Sequence, residues 1–91
     1  MNELNLRLDG NAVAGLLSEI FTQEMTGASG CCEGCGAIEQ VGALSVYAHA
    51  PGVVIRCPHC ESILMRIVHG GGRYWLDLRG VRYLEIRGPQ L

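Results

Sequence analysis

The chain has 91 residues and a formal net charge of −2, and 48% of its residues are hydrophobic. This length predicts a single domain over residues 1–91, and the hydrophobic content excludes a disordered segment. We also expect a cytoplasmic protein with no membrane partner, because no apolar run is long enough to span a bilayer and the first residues do not resemble a signal peptide.

A helix is predicted for residues 11–26. The apolar residues of this segment recur on one helical face, namely Val13, Leu16, Leu17, Ile20, Phe21 and Met25. Asp9 or Asn11 can cap the N-terminus, and Gly27 is placed to cap the C-terminus. Gly15 is expected to allow close packing against a sheet. We expect the apolar face to pack in the core, and the alternative is a helix that binds a partner.

Four cysteines form two C-x-x-C pairs, Cys32 with Cys35 and Cys57 with Cys60. Two thiolates at this spacing can turn back onto one ion, and a second pair completes a tetrahedral shell. We therefore predict one four-thiolate metal site. Zinc is the expected metal, and a mononuclear iron site of the rubredoxin kind is the alternative. Because four thiolates leave no open position for water, the site is predicted to be structural and the chain not to be an enzyme.

A fifth cysteine, Cys31, precedes the first pair. We leave it as a free thiol, since using Cys31 instead of Cys32 would widen the gap to Cys35; a redox role is the other alternative. A reducing compartment favours metal binding over disulfides for the paired cysteines. His59 lies between two ligands, where side chains usually point away from the metal.

Most of the remaining chain is predicted to form antiparallel strands. Residues 44–48 alternate in hydropathy, Pro51-Gly52 is a turn signal, and residues 53–56 lead into Cys57, so a hairpin brings the cysteine pairs together. Three more strands with short turns, Gly70–Gly72 and Arg79–Gly80, predict a meander over residues 62–68, 74–78 and 81–86. The predicted fold class is α+β: an amphipathic N-terminal helix packed on an antiparallel zinc-ribbon-like sheet, with the ribbon and meander over residues 30–87 and a frayed tail after them.

The C-terminal half carries most of the positive charge and suggests two kinds of partner. A nucleic-acid-binding ribbon would use its arginines, which are Arg56, Arg66, Arg73, Arg79, Arg82 and Arg87. A protein-binding face would use Trp75, Arg79 and Arg82, because Trp and Arg dominate interface hot spots. The alternative to a protein-binding face is that Trp75 packs on the ribbon, with Asp77 paired across the hairpin to Arg79 or Arg82. The sequence indicates no small-molecule substrate.

Four segments resemble a family of short bacterial proteins of unknown function. The resemblance is carried by Leu8-Asp9-Gly10-Asn11-Ala12 with Gly15 and Leu16, Cys32-x-x-Cys35-Gly36, Pro51-Gly52-Val53-Val54-Ile55-Arg56-Cys57-Pro58, and Trp75-Leu76-Asp77-Leu78-Arg79-Gly80. It implies a zinc-ribbon fold and a cytoplasmic accessory role, with an oxidoreductase, of the flavin-dependent kind, as a class of protein partner. We accordingly predict a non-catalytic accessory module that binds a protein.

Overall fold

The computed structural model describes residues 8–49 and 52–88. These residues form an α+β structure in which every strand pairing is antiparallel. The single α-helix, α1, is Ala14–Ile20, and the strands in chain order are β1 (Leu8–Asp9), β2 (Ser29–Cys32), β3 (Ile38–Gln40), β4 (Ser45–His49), β5 (Gly52–Arg56), β6 (Ile63–Gly70), β7 (Arg73–Asp77) and β8 (Val81–Glu85). No helix within the described ranges has the length and apolar character that crossing a membrane requires.

The helical segment begins close to where the sequence predicts it. A 3-10 helix, Gly10–Val13, precedes α1, and the Asp9 side chain accepts a hydrogen bond from the Asn11 backbone N–H at 3.1 Å. Asp9 is therefore the N-cap, as predicted, because its carboxylate satisfies one of the N–H groups that have no partner inside a helix. The predicted reason for Gly15 is wrong: this glycine is exposed, and a Cβ on it would meet no atom within 4 Å.

The helix is shorter than predicted, since α1 ends at Ile20 rather than at residue 26. Phe21 is already extended (φ −113°, ψ 146°), so Gly27 is not the C-cap. Further along, where the helix was predicted to continue, the Glu24 carboxylate accepts from the Gly27 N–H at 3.2 Å and stabilises a turn instead. Met25 is nonetheless buried, so the predicted apolar face does reach the core.

The larger of two sheets has five strands in the order β1-β4-β5-β6-β7. Its β4–β5 pair is the hairpin predicted upstream of Cys57, with Val46 opposite Ile55. The turn residue Pro51 and the tail residues 89–91 lie outside the described residues. The β6–β7 pair is the first hairpin of the predicted meander, and its turn is Gly71-Gly72, with φ angles of 59° and 76° that favour glycine.

The predicted pairing of the last strand is wrong. β8 does not add to β7 but joins a second, three-stranded sheet in the order β3-β2-β8. The chain changes sheets at Gly80, whose N–H donates to the Leu64 carbonyl at 3.1 Å. The alternating pattern of β8 satisfies either pairing, and in the structure Leu84 packs against the core from the smaller sheet.

The core lies where α1 and the two sheets meet. Val46, Ile55 and Ile67 are completely buried in the larger sheet, and Leu17 of α1 packs with them. One residue departs from the predicted alternation in β6, because both Leu64 and Met65 are buried. A register shift opposite Ile55 and Arg56 accounts for this, since a bulge turns two successive side chains to the same side.

Candidate metal centre

Each C-x-x-C pair lies in the turn of a β-hairpin. The first cysteine turn (residues 32–37) joins β2 to β3, and the second cysteine turn (residues 57–62) joins β5 to β6. The first turn therefore belongs to the smaller sheet and the second turn to the larger sheet. An ion bound by both turns would cross-link the two sheets.

The two cysteine turns have the same backbone geometry. In the first, the Cys32 N–H donates to the Ala37 carbonyl and the Gly36 N–H donates to the Cys32 carbonyl, both at 2.9 Å. In the second, the Cys57 N–H donates to the Ser62 carbonyl and the Glu61 N–H to the Cys57 carbonyl, again at 2.9 Å. The same turn is thus built twice from different residues.

Backbone N–H groups also point at the sulfur atoms. The Gly34 N–H donates to Cys32 Sγ at 3.3 Å, and the His59 N–H donates to Cys57 Sγ at 3.4 Å. An N–H that donates to a ligand sulfur helps to orient it, so these two contacts hold the buried cysteines in position.

The structure brings Cys32, Cys35, Cys57 and Cys60 together, with their Sγ atoms all within 4.8 Å of one another. The Cys32–Cys60 and Cys35–Cys57 Sγ distances are both 3.7 Å. Sulfur atoms bound about 2.3 Å from a central ion at tetrahedral angles lie roughly 3.8 Å apart. The cluster, which contains no disulfide, can therefore hold one metal ion.

Comparison with known proteins identifies a family whose function is unknown. The model of a family of unknown function, DUF6510, matches residues 3–89. The chain belongs to this family. No curated protein and no solved structure matches it. The function of this DUF6510 chain therefore has to be argued from its own geometry.

Cys31 lies outside the cluster although it is adjacent to Cys32 in the sequence. The four converging sulfur atoms are those of Cys32, Cys35, Cys57 and Cys60, and the pairing of β2 with β8 is irregular between Cys31 and Cys32. The Cys31 thiol is buried and lies 3.9 Å from the Cys32 carbonyl oxygen and 3.7 Å from that of Gly36.

The fifth position of each cysteine turn has a positive φ, 79° for Gly36 and 68° for Glu61. Glycine adopts this conformation readily, whereas a residue with a Cβ is strained there. Glu61 is the only non-glycine residue with a positive φ among the described residues. The second cysteine turn therefore carries strain that the first does not.

Replacing Glu61 with glycine is expected to raise the free energy of unfolding by about 1 kcal/mol, because the strain is removed. Glu61 contacts Arg56 through its backbone carbonyl, which accepts a hydrogen bond from Arg56 Nη1 at 2.9 Å. The glycine variant keeps this carbonyl. Thermal denaturation of the metal-loaded proteins measures the change. The matched variant Gly36→Ala should move stability in the opposite direction; two shifts of the same sign would contradict this account.

Ser62 was missed by the sequence analysis and supports the second cysteine turn. Its hydroxyl oxygen lies 3.2 Å from the Cys60 sulfur. Hydrogen bonds that the Ser62 hydroxyl and backbone donate to the Cys60 thiolate lower the pKa of Cys60 to about 6. A backbone hydrogen bond from Ala37 lowers the pKa of Cys35, but burial and hydrogen bonds with the other cluster cysteines outweigh it and raise that pKa to about 12. Cys60 therefore ionises more readily than Cys35.

We expect Ser62→Ala to weaken metal affinity about tenfold, which is typical for loss of a group that hydrogen-bonds a ligand. Competition with a chromophoric chelator at neutral pH measures this. The control is Ser18→Ala, because the Ser18 hydroxyl donates only to the Gly15 carbonyl on α1. Equal affinities in the two variants would show that Ser62 does not support the site.

A second unpredicted contact joins the second cysteine turn to β3, the strand that follows the first cysteine turn. His59 Nε2 lies 2.6 Å from Glu39 Oε2, and Glu39 belongs to β3, directly after the first turn. The His59 ring therefore faces a carboxylate and not the sulfur cluster, in line with the prediction that it is not a ligand. No sequence spacing reveals this pair, because it depends on how the two hairpins dock.

The residues predicted to bind a protein partner are divided between the two sheets. Trp75 is on β7 of the larger sheet with 53% of its surface exposed. Arg79 follows β7 and forms a bidentate pair with Asp77, with closest approach 2.6 Å, which lowers the pKa of the Asp77 carboxyl to about 2. Arg82 is on β8 of the smaller sheet and pairs with Glu33 at 3.3 Å. About half of the Trp75 surface is thus exposed, and Asp77 pairs with Arg79 two residues along the chain rather than with an arginine across a hairpin.

Proposed function

We propose that this chain is a non-catalytic accessory module of the zinc-ribbon class, in which one structural zinc ion binds Cys32, Cys35, Cys57 and Cys60. The observation that carries the proposal is the pair of equivalent cysteine turns whose sulfur atoms converge within 4.8 Å. Two hairpins that present one C-x-x-C turn each are typical of zinc ribbons. Zinc suits four thiolates in a tetrahedron because it has no geometric preference of its own.

Three features support a structural rather than a catalytic metal. Four thiolates saturate a tetrahedral ion, so no position remains for a substrate or a reactive water. Cys32 and Cys57 are almost completely buried, which anchors the ion in the core. The two turns belong to different sheets, so a bound ion contributes its binding energy to holding the sheets together.

We further propose that the module acts by binding a protein. The support is the set of exposed large apolar side chains, of which Ile38 and Trp75 are the most exposed among the described residues. A nucleic-acid role is less well supported, because three of the six C-terminal arginines already contact groups of their own chain: Arg56 with the Glu61 carbonyl, Arg79 with Asp77, and Arg82 with Glu33.

Elemental analysis of the purified chain, together with its visible spectrum, tests the metal. We expect one zinc ion per chain and no colour. One iron ion with a red chromophore would replace the proposal with a rubredoxin-like electron carrier. A chain that contains no metal and keeps its melting temperature in the presence of a strong chelator would overturn the structural site altogether.

A further inference from the structure

The larger sheet ends in an unprotected edge strand. Among residues 8–49 and 52–88, β7 pairs with β6 alone, since β8 belongs to the smaller sheet. The strand has five residues, Arg-Tyr-Trp-Leu-Asp, with no proline, and its charged residues lie only at its two ends. Native proteins usually protect such edges with charged side chains, proline, a bulge or a covering segment. An edge whose centre has neither charge nor proline is suited to pairing with another strand.

Exposed apolar side chains gather at the same edge. Trp75 is 53% exposed and Tyr74 is 39% exposed. Val68, directly opposite Trp75 on β6, is 37% exposed. Trp75 and Val68 lie on the outer face of the sheet and Tyr74 lies on the other, because successive residues of a strand alternate. A strand added to β7 would shield all three from water.

The β6–β7 hairpin determines which backbone groups of β7 are free. In a two-residue hairpin the flanking residues, here Gly70 and Arg73, hydrogen-bond to each other across the turn. Antiparallel ladders alternate, so Arg73, Trp75 and Asp77 direct their N–H and C=O groups toward β6. The N–H and C=O groups of Tyr74 and Leu76 consequently point outward, and the backbone hydrogen bonds of the described residues include no partner for them on that side.

This pattern is self-complementary about Trp75. If a second β7 lies antiparallel with the two Trp75 residues opposite each other, Tyr74 of one copy faces Leu76 of the other. Those are the residues with outward N–H and C=O groups, so four backbone hydrogen bonds form across the two-fold axis. If the register shifted by one residue, residues whose N–H and C=O groups point outward would face residues whose N–H and C=O groups point toward β6, and the hydrogen bonds could not form.

The side chains also match in this register. Trp75 lies opposite Trp75 of the second copy as a non-hydrogen-bonded pair, the closest kind of cross-strand contact. Arg73 lies opposite Asp77 of the second copy on the same face, at both ends of the pairing. Arg66 and Arg79 of the same chain also lie beside Asp77, so their positive charge weakens the attraction between Asp77 and Arg73 of the second copy. This lowers the affinity of the two copies for each other without changing the register.

We propose that two copies of this chain pair through antiparallel β7 strands about a two-fold axis at Trp75, forming a continuous ten-stranded sheet. This inference goes beyond the proposed function and does not depend on which metal is bound. Five residues a side bury less than the roughly 1,200 Å² of a standard interface, so the dimer is expected to be weak. We expect a dissociation constant on the order of 10–100 µM.

Sedimentation equilibrium of the metal-loaded chain between about 1 µM and about 1 mM tests the dimer. Because residue 75 faces its own copy, a charge placed there meets the same charge. We expect Trp75→Glu and Trp75→Lys each to weaken self-association by at least about tenfold, and an equimolar mixture of the two variants to form a heterodimer. Only a contact across a two-fold axis at residue 75 explains all three results.

The matched control substitutes Tyr83, an aromatic residue of β8 that is 47% exposed, with the same two residues. These variants should dimerise like the natural sequence. Circular dichroism and metal content verify that each variant is folded. A chain that remains monomeric at about 1 mM, or a dimer that persists in both Trp75 variants, would overturn the proposal. So would a mixture of the two variants that shows no heterodimer.

Discussion

Replacement of Cys57 by serine is expected to abolish metal binding and unfold the protein. Cys57 is 2% exposed, and its sulfur accepts the His59 N–H and lies 3.7 Å from that of Cys35. Binding of a structural zinc contributes on the order of 10 kcal/mol coupled to folding. Small domains have only about 5–15 kcal/mol of stability in total, so few variants without the metal stay folded. Metal content and thermal denaturation monitored by circular dichroism measure the effect.

The matched control is Cys31→Ser, because this buried cysteine is adjacent to a ligand but lies outside the cluster. Serine has nearly the same shape as cysteine, so the change leaves no large cavity near the carbonyl oxygens of Cys32 and Gly36. We expect full metal content and a loss of at most about 1–2 kcal/mol. If the Cys57 variant kept its metal and its melting temperature, the site assignment would be wrong.

Replacement of Gly80 by alanine is expected to lower the free energy of unfolding by about 3 kcal/mol or more. A Cβ on Gly80 would lie 1.9 Å from the Ile63 carbonyl oxygen and 2.7 Å from the Leu64 Cα, both of which are backbone atoms that cannot rotate away. The Gly80 carbonyl also accepts from the Glu33 N–H at 2.9 Å. The substitution therefore pushes β6 away from the first cysteine turn, and metal affinity should fall together with stability.

Chemical denaturation of the metal-loaded protein, with chelator competition in parallel, measures both effects of the Gly80 change. Gly70→Ala is the matched control, since a Cβ on Gly70 meets no atom within 4 Å and its φ is not positive. It should leave stability within about 0.5 kcal/mol and affinity unchanged. A Gly80 variant as stable as the Gly70 variant would mean that the close approach of the chain to β6 is unimportant.

The cysteine cluster was predictable because its signal is local. Two C-x-x-C pairs specify the ligands through their spacing alone, and the β4–β5 hairpin that approaches Cys57 follows from alternation and a turn signal. The groups around the ligands were not predictable. Ser62 acts on Cys60 within one turn, but nothing in the spacing says that its hydroxyl faces the sulfur, and the contact between Glu39 and His59 joins two hairpins that are distant in sequence.

The end of α1 shows that a periodic apolar pattern does not fix the backbone conformation. The apolar stripe continues to Met25, yet the helix ends at Ile20, and a turn in which the Glu24 side chain accepts from the Gly27 N–H follows it. Met25 still reaches the core from that turn. The periodicity therefore predicted burial correctly and backbone conformation only in part.

By itself, the amino-acid sequence determined the four clustered cysteines, the buried face of α1 and the alternation of the strands, since each depends on residues a few positions apart. The tertiary structure alone decided that β8 joins β2 rather than β7, because both pairings bury the same alternating side chains. The choice is made where Gly80 passes against β6, at a backbone contact that needs the absence of a side chain. That choice adds a third strand to the sheet that carries the first cysteine turn and leaves β7 at the edge of the larger sheet.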